Sequence, residues 1–179
     1  MGDVPFPSAL IGQPKVGFFP GSTLGNLNPI NAIDLLHRAR QWPDMVSFIL
    51  GVDLVKDTDR LLRAYDDSRG VTAAFNLNIL NRLNKEIGSD FDVQSFAHEA
   101  RWNAPAARIE MHLVSQRNQS VKLGHHVFDI AKGESIHTEN SHKYTRDSIG
   151  QIVAKAGWRL TEFLTDDRDD FGVCGLTPD

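Results

Sequence analysis

Between Lys15 and Val55 the sequence runs through an apolar stretch, a glycine-punctuated loop, an amphipathic segment and a second apolar stretch. That order restricts the fold more than any other feature. Lys15-Val16-Gly17-Phe18-Phe19-Pro20 suits a buried strand. Gly21-Ser22-Thr23-Leu24-Gly25-Asn26 follows as a loop. Asn28 is placed to cap a helix with Pro29 at its first position, where a missing N–H breaks no bond, and Ile33, Leu36 and Ala39 continue an inner face. Met45 to Val55, rich in Val, Ile, Leu and Phe, reads as a second strand. Strand, helix and strand in succession predict a βαβ unit of a parallel sheet.

The pattern then changes. Gly70 to Ile87 predicts an amphipathic helix with Phe75, Ile79, Leu83 and Ile87 as its stripe, Leu80 beside them and Gly88 as its end. Residues 98–144 read as antiparallel strands: Ile109, Met111, Leu113 and Ser115 fall on one side, and Val121, Leu123 and His125 repeat the two-residue period. Thr145 caps a last helix striped by Ile149, Ile152, Val153 and Ala156 and closed by Gly157. Arg159 to Leu164 and Phe171 to Leu176 read as two final strands joined by the acidic turn Asp166 to Asp170. The fold class is α/β. A parallel portion occupies residues 1–59 and 145–179, and an α+β lobe interrupts it over 60–144. A doubly wound sheet ordinarily has about five or more strands. Two precede the lobe here and two follow it, so the sheet is expected to be incomplete, with earlier strand–helix pairs absent from this stretch.

Several clusters can carry chemistry. Gly21 to Asn26 lies after a strand and before a helix, the end of a parallel sheet where ligands bind. Its glycines let a ligand approach the backbone, and the Asn26 amide can meet both a carboxylate and an amine; the alternative is a tight turn in which Asn26 bonds its own backbone. It matches neither a phosphate-binding loop, lacking the lysine, nor a dinucleotide fingerprint. Tyr65-Asp66-Asp67 stands where a chain leaving the sheet would pass over such a site, or else is a surface helix end with solvated acids. Thr138-Glu139-Asn140-Ser141-His142-Lys143-Tyr144 is dense in polar groups. If it is extended, Glu139 and Ser141 share one face and can grip both nitrogens of an imidazole, or an ammonium; the alternative is a solvated hairpin edge. His125, His126, His137 and His142 lack metal-site spacing and read as solvated strand histidines, so no metal is expected. Asp53, Lys56, Asp57 and Asp59 read as a solvated loop. The asparagines 76, 78, 81 and 84 crowd one helix, which points to contacts with the sheet.

Composition narrows the classes. The chain of 179 residues is 41% hydrophobic, enough for one domain with a core or a domain plus a small lobe. A net charge of -4 with scattered Lys and Arg points away from nucleic acid. No apolar run reaches the roughly 18 residues of a membrane span. The amino terminus lacks signal-peptide features, and Cys174, the one cysteine, has no partner for a disulfide. A cytoplasmic location is expected.

Phe18 to Asn26, Asp53-Leu54-Val55-Lys56-Asp57, Ala64-Tyr65-Asp66-Asp67, Ala74-Phe75-Asn76 with Asn78, Phe91-Asp92, Ile109-Glu110-Met111 and Thr138 to Tyr144 occur in this order. Together they resemble the histidine-specific methyltransferase family over residues 14–176. The resemblance implies a Rossmann-like methyltransferase sheet with an inserted substrate-binding lobe, and S-adenosylmethionine as cofactor. It also implies methylation of the α-amino group of L-histidine, the step that leads toward ergothioneine. By motif, Asn26 would meet the substrate's carboxylate and amine, with Gly21 lining the same end. Tyr65 would bond the carboxylate, Glu139 and Ser141 would recognise the imidazole with Asn140 between them, and Met111 would pack beside the ring. The family's cofactor loop lies upstream of these residues, so most of the cofactor site is expected outside this stretch and the 179 residues alone are expected to be inactive. Asp3 is the one cofactor candidate here: Asp3-Val4 stands where relatives carry an Asp-Phe pair. No residue is singled out as a general base. The partner expected is a small amino acid, with a homodimer through an exposed sheet edge. Two alternatives remain: another amine substrate, or a non-catalytic binding module.

Overall fold

The computed structural model describes residues 7–179. They form two compact units, one of residues 7–55 and 142–179, the other Lys56–Ser141. No helix among the described residues is long and apolar enough to cross a membrane.

In the first unit, β1 (Lys15–Phe19) leads through a 3-10 turn (Thr23–Asn26) to α1 (Pro29–Arg40) and β2 (Met45–Asp53). Asn28 caps α1 by accepting from the Asn31 N–H at 2.9 Å, with Pro29 at the first position. The strands β1 and β2 pair in parallel, as the βαβ pattern requires. The second unit carries α2 (Thr58–Tyr65), α3 (Val71–Ile87), β3 (Phe96–Asn103), β4 (Arg108–Ser115), β5 (Gln119–Leu123), β6 (His126–Ile130) and β7 (Ser135–His142). The chain then returns to the first unit through α4 (Arg146–Lys155), β8 (Trp158–Thr165) and β9 (Phe171–Pro178). A capping box starts α4: Thr145 and Ser148 exchange side-chain and backbone bonds.

The first unit's sheet runs β1-β2-β9-β8. Its second half corrects the expectation of a parallel portion at both ends: β9 is antiparallel to β2, and β8 is antiparallel to β9. The turn Asp166 to Asp170 is too short for the crossover of about a dozen residues that a parallel pair needs, so the tail closes as a hairpin in a mixed sheet. Leu24, Leu36, Leu50, Ile149, Val153, Trp158 and Leu176 form the core. The Trp158 indole N–H donates to the Leu36 carbonyl at 2.9 Å, so its one polar atom is satisfied inside that core. Cys174 is fully buried there, and burial pushes its thiol up to about 11.

In the second unit β3, β4 and β7 form one sheet and β5 and β6 a hairpin. Leu80, Phe96, Leu113, Val121 and Ile130 make its core. The expected side of β4 is the buried one: Ile109, Met111, Leu113 and Ser115 are all buried. Two details differ from expectation. His125 falls in the turn between β5 and β6, not on a strand. On α3, Phe75 is 64% exposed and Ile87 52%, whereas Asn76 and Leu80 are buried. Four-residue steps advance about 40° beyond a full turn each, so a stripe built only from them winds off the buried face. The true inner face mixes three- and four-residue steps through Asn76, Leu80 and Leu83.

The chain passes between units near Val55 and His142, a few residues earlier than the 59/60 and 144/145 boundaries read from the sequence. Tyr144 belongs with the end of β2: its N–H donates to the Asp53 carbonyl at 3.0 Å, and its own carbonyl accepts from the Val55 N–H at 2.9 Å.

Candidate functional site

The first unit presents Gly21 and Asn26 at the carboxyl end of β1. Gly21 (φ 73°) and Ser22 (φ 56°) both take left-handed backbone, which sets the sharp exit from the strand. The Ser22 hydroxyl oxygen accepts from the Asp53 N–H at 2.8 Å, tying the turn to the end of β2. Gly25 is there because nothing larger fits: a Cβ would lie 2.7 Å from the His142 carbonyl oxygen. His142 is buried, and its Nδ1–H donates to the Gly25 carbonyl at 2.8 Å, which corrects the expectation of a solvated strand histidine. The turn therefore holds Asn26 exposed at its tip on a rigid, doubly anchored backbone.

Asp53 is corrected too. It was expected in a solvated loop, but its carboxylate lies 2.7 Å from the ammonium of Lys143, whose side chain is wholly buried. Asp57 instead caps α2, accepting from the Arg60 N–H at 2.9 Å.

The second unit holds Tyr65, Met111, Glu139, Asn140 and Ser141. Tyr65 ends α2, and its phenol lies 2.7 Å from the Ser141 hydroxyl on β7. β7 is extended through this stretch, so Glu139 and Ser141 do point to the same face. Ser141 is buried and Glu139 half-buried. Burial raises the Glu139 carboxyl above its usual range. Asn140, on the opposite face, has a buried Oδ1 with no hydrogen-bond partner. Met111 is buried, and its carbonyl accepts from the Thr138 hydroxyl at 2.9 Å. Asp3 lies outside the described residues.

Sequence reading missed three parts of this unit. Asp67 serves as the cap that Gly70 lacks for α3: its carboxylate accepts from the Thr72 N–H at 2.8 Å and the Val71 N–H at 3.2 Å. Those backbone donors hold its carboxyl down at about 2. Glu110, His112 and His137 bring one ligand-type atom each within 4.8 Å of one another. Arg108 and Asn103 already bond the Glu110 carboxylate and hold it down at about 2, and the His112 and His137 rings stack at an interplanar angle of 16°, so the two imidazoles cannot both direct a lone pair at one ion. Last, His98 on β3 bonds the Tyr65 carbonyl at 2.8 Å. The crowding of asparagines on α3 was the only sequence signal near that contact. A cavity of about 310 Å³ lies elsewhere, in the first unit, lined by Leu54, Tyr144, Arg146 and Phe163 among others; none of the expected site residues lines it.

Residues 5–178 match the family described as histidine-specific methyltransferase, SAM-dependent. The chain is 44% identical over 158 residues to a histidine N-alpha-methyltransferase of Mycolicibacterium smegmatis, covering 87% of this chain and 49% of that protein. It is 43% identical over 165 residues to a histidine N-alpha-methyltransferase of Mycobacterium tuberculosis, covering 90% of this chain and 51% of the relative. The chain thus spans about half the length of these curated relatives. Among solved structures, a methyltransferase from Streptomyces caelestis aligns over 92% of this chain and 60% of its own at a TM-score of 0.47 and 14% identity.

Proposed function

Since the chain belongs to the SAM-dependent histidine-specific methyltransferase family, we propose that it carries the amino-acid-binding part of an enzyme that methylates the α-amino group of L-histidine. On this reading the first unit is part of a Rossmann-like sheet and the second is the substrate-binding lobe. S-adenosylmethionine supplies an electrophilic methyl group when bound. The one residue here that the resemblance gives to it, Asp3, lies outside the described residues.

The observation that carries the reading is on β7. Glu139 is half-buried, Ser141 is buried on the same face, and the Tyr65 phenol sits 2.7 Å from the Ser141 hydroxyl. A carboxylate raised by desolvation gains more from a ligand that brings an N–H donor to it than from an apolar one. Imidazole matches: one nitrogen faces the carboxylate and the other the hydroxyl. Tyr65 is assigned the substrate carboxylate, with Met111 against the ring and Asn140 between the two recognition residues. On the first unit, Asn26 and Gly21 are assigned the amino-acid head. Asn26 accepts from the amine and donates to the carboxylate, which orients the nitrogen lone pair. Transfer from a sulfonium needs alignment and a neutral amine more than covalent help, so no general base is assigned.

β1 ends the strand order of its sheet, and Val16 and Phe18 on it are 57% and 68% exposed. We extend the proposal to a second copy of the chain meeting this edge. Calorimetric titration of the chain with L-histidine, L-lysine and L-phenylalanine tests the substrate assignment. Binding of histidine about ten-fold or more tighter than both others supports it. Equal binding of all three removes it.

A further inference from the structure

We infer that Asn76 and His98 are positioning residues that set the Tyr65 phenol, on the reading that Tyr65 and Ser141 contact the substrate. Tyr65 is the last residue of α2, so its carbonyl has no intrahelical partner. Asp66, which follows, sits at φ -135° and ψ 68°, outside the left-handed conformation that closes many helices. A side chain does the work instead: His98 Nε2 lies 2.8 Å from the Tyr65 carbonyl oxygen. A carbonyl only accepts, so Nε2 carries the hydrogen.

The other ring nitrogen confirms that tautomer. Asn76 Nδ2 lies 3.0 Å from His98 Nδ1 and also donates to the His112 carbonyl at 3.3 Å. An amide N–H₂ only donates, so Nδ1 accepts. Asn76 is wholly buried, and its Oδ1 has no hydrogen-bond partner. An unsatisfied buried amide oxygen is unfavourable. It persists here because the amide nitrogen is committed to fixing both the β4 backbone and the imidazole. The relay is one-directional: Asn76 on α3 fixes the orientation of the His98 ring on β3, and His98 holds the end of α2. From that end the phenol reaches Ser141 at 2.7 Å. Asn76 and His98 thus act through Tyr65 and need not touch substrate.

Two tyrosines in the chain make the test direct, because Tyr65 and Tyr144 give one ζ-carbon resonance each. The 179-residue chain, labelled at tyrosine ζ-carbon, is compared with His98→Phe, His98→Gln, Asn76→Ala, Tyr65→Phe and the double variant His98→Phe/Tyr65→Phe. His98→Phe and Asn76→Ala are expected to shift the Tyr65 resonance and leave that of Tyr144 in place. His98→Gln, whose amide N–H can reach the same carbonyl, restores the Tyr65 shift. L-histidine affinity falls about ten-fold in His98→Phe and in Tyr65→Phe, and the double variant falls no further than Tyr65→Phe alone. A merely structural role would lower thermal stability and move both resonances together. An unmoved Tyr65 resonance in His98→Phe, or additive losses in the double variant, overturns the positioning role while leaving Tyr65 as a substrate contact. Unchanged histidine affinity in Tyr65→Phe overturns the substrate reading itself. If His98→Phe does not fold, the comparison of His98→Gln with Asn76→Ala decides: the relay requires the second to shift Tyr65 and the first to leave it.

Discussion

Asp53→Asn isolates the ion pair beneath the Gly21–Asn26 turn. The Lys143 side chain is 0% exposed and the Asp53 side chain 20%, with 2.7 Å between ammonium and carboxylate. Neutralising one partner of a buried pair removes the opposite charge that offsets the other's desolvation, at a cost of about 3–5 kcal/mol. Asp53 keeps some contact with water, which places this case at the lower end, about 3 kcal/mol. For a chain of this size each kcal/mol moves the melting temperature by roughly 2–4 °C, so a fall of roughly 6–12 °C is expected. The backbone N–H of Asp53, which donates to Ser22, is unaltered by the substitution. Replacing both charges, Asp53→Asn with Lys143→Met, removes the buried ammonium as well and is expected to recover most of the loss. Thermal unfolding followed by circular dichroism, with urea titration at one temperature, measures both. A loss under about 1 kcal/mol in Asp53→Asn, or no recovery in the double variant, refutes the reasoning.

Gly25→Ala drives a Cβ to 2.7 Å from the His142 carbonyl oxygen, so overpacking of about 1–3 kcal/mol is expected, read as a lower melting temperature, and an unchanged melt contradicts it. Asp67 has its carboxyl held down at about 2, so its stabilising contribution is present above the usual carboxylate range and lost as pH falls through about 2. The melting difference between the native chain and Asp67→Ala should therefore be widest near neutrality and close in strong acid; a constant difference counts against the cap. Glu139 has the opposite sign, since burial raises its carboxyl: the charged form weakens the fold, and stability is regained as pH falls through the raised value. Glu139→Gln is accordingly expected to melt higher than the native chain near neutrality, with the gap narrowing in acid, while its histidine affinity drops; a lower melt at neutral pH would falsify that account.

Local chemistry made much of this fold legible. Asn28-Pro29 and the Thr145 cap are signals within a single helical turn, and both caps form as expected. The alternation of Ile109, Met111, Leu113 and Ser115 is likewise local, because a strand's faces are set by its own period. Partners distant in sequence were not legible. Lys143 reads as a surface residue until Asp53, 90 positions earlier by residue number, is brought to 2.7 Å by the return of the chain. The direction of β9 depends on which neighbour it joins, and no residue in Phe171 to Leu176 encodes that. The phase of α3 was missed because its inner face centres on a polar residue, Asn76, which a hydrophobic stripe leaves out. The same blind spot hid His98. Of the candidate site, Glu139 and Ser141 were readable as one face of an extended segment, whereas the contact of Ser141 with Tyr65 joins residues on α2 and β7.

The central claim is that Glu139 makes this chain select the imidazole of histidine. The ratio of L-histidine to L-phenylalanine affinity, measured by calorimetry in the native chain and in Glu139→Ala, tests it most directly. The account predicts a preference for histidine in the native chain that collapses by about ten- to a hundred-fold in Glu139→Ala, the value of one charged hydrogen bond. A ratio that is the same in both proteins contradicts it.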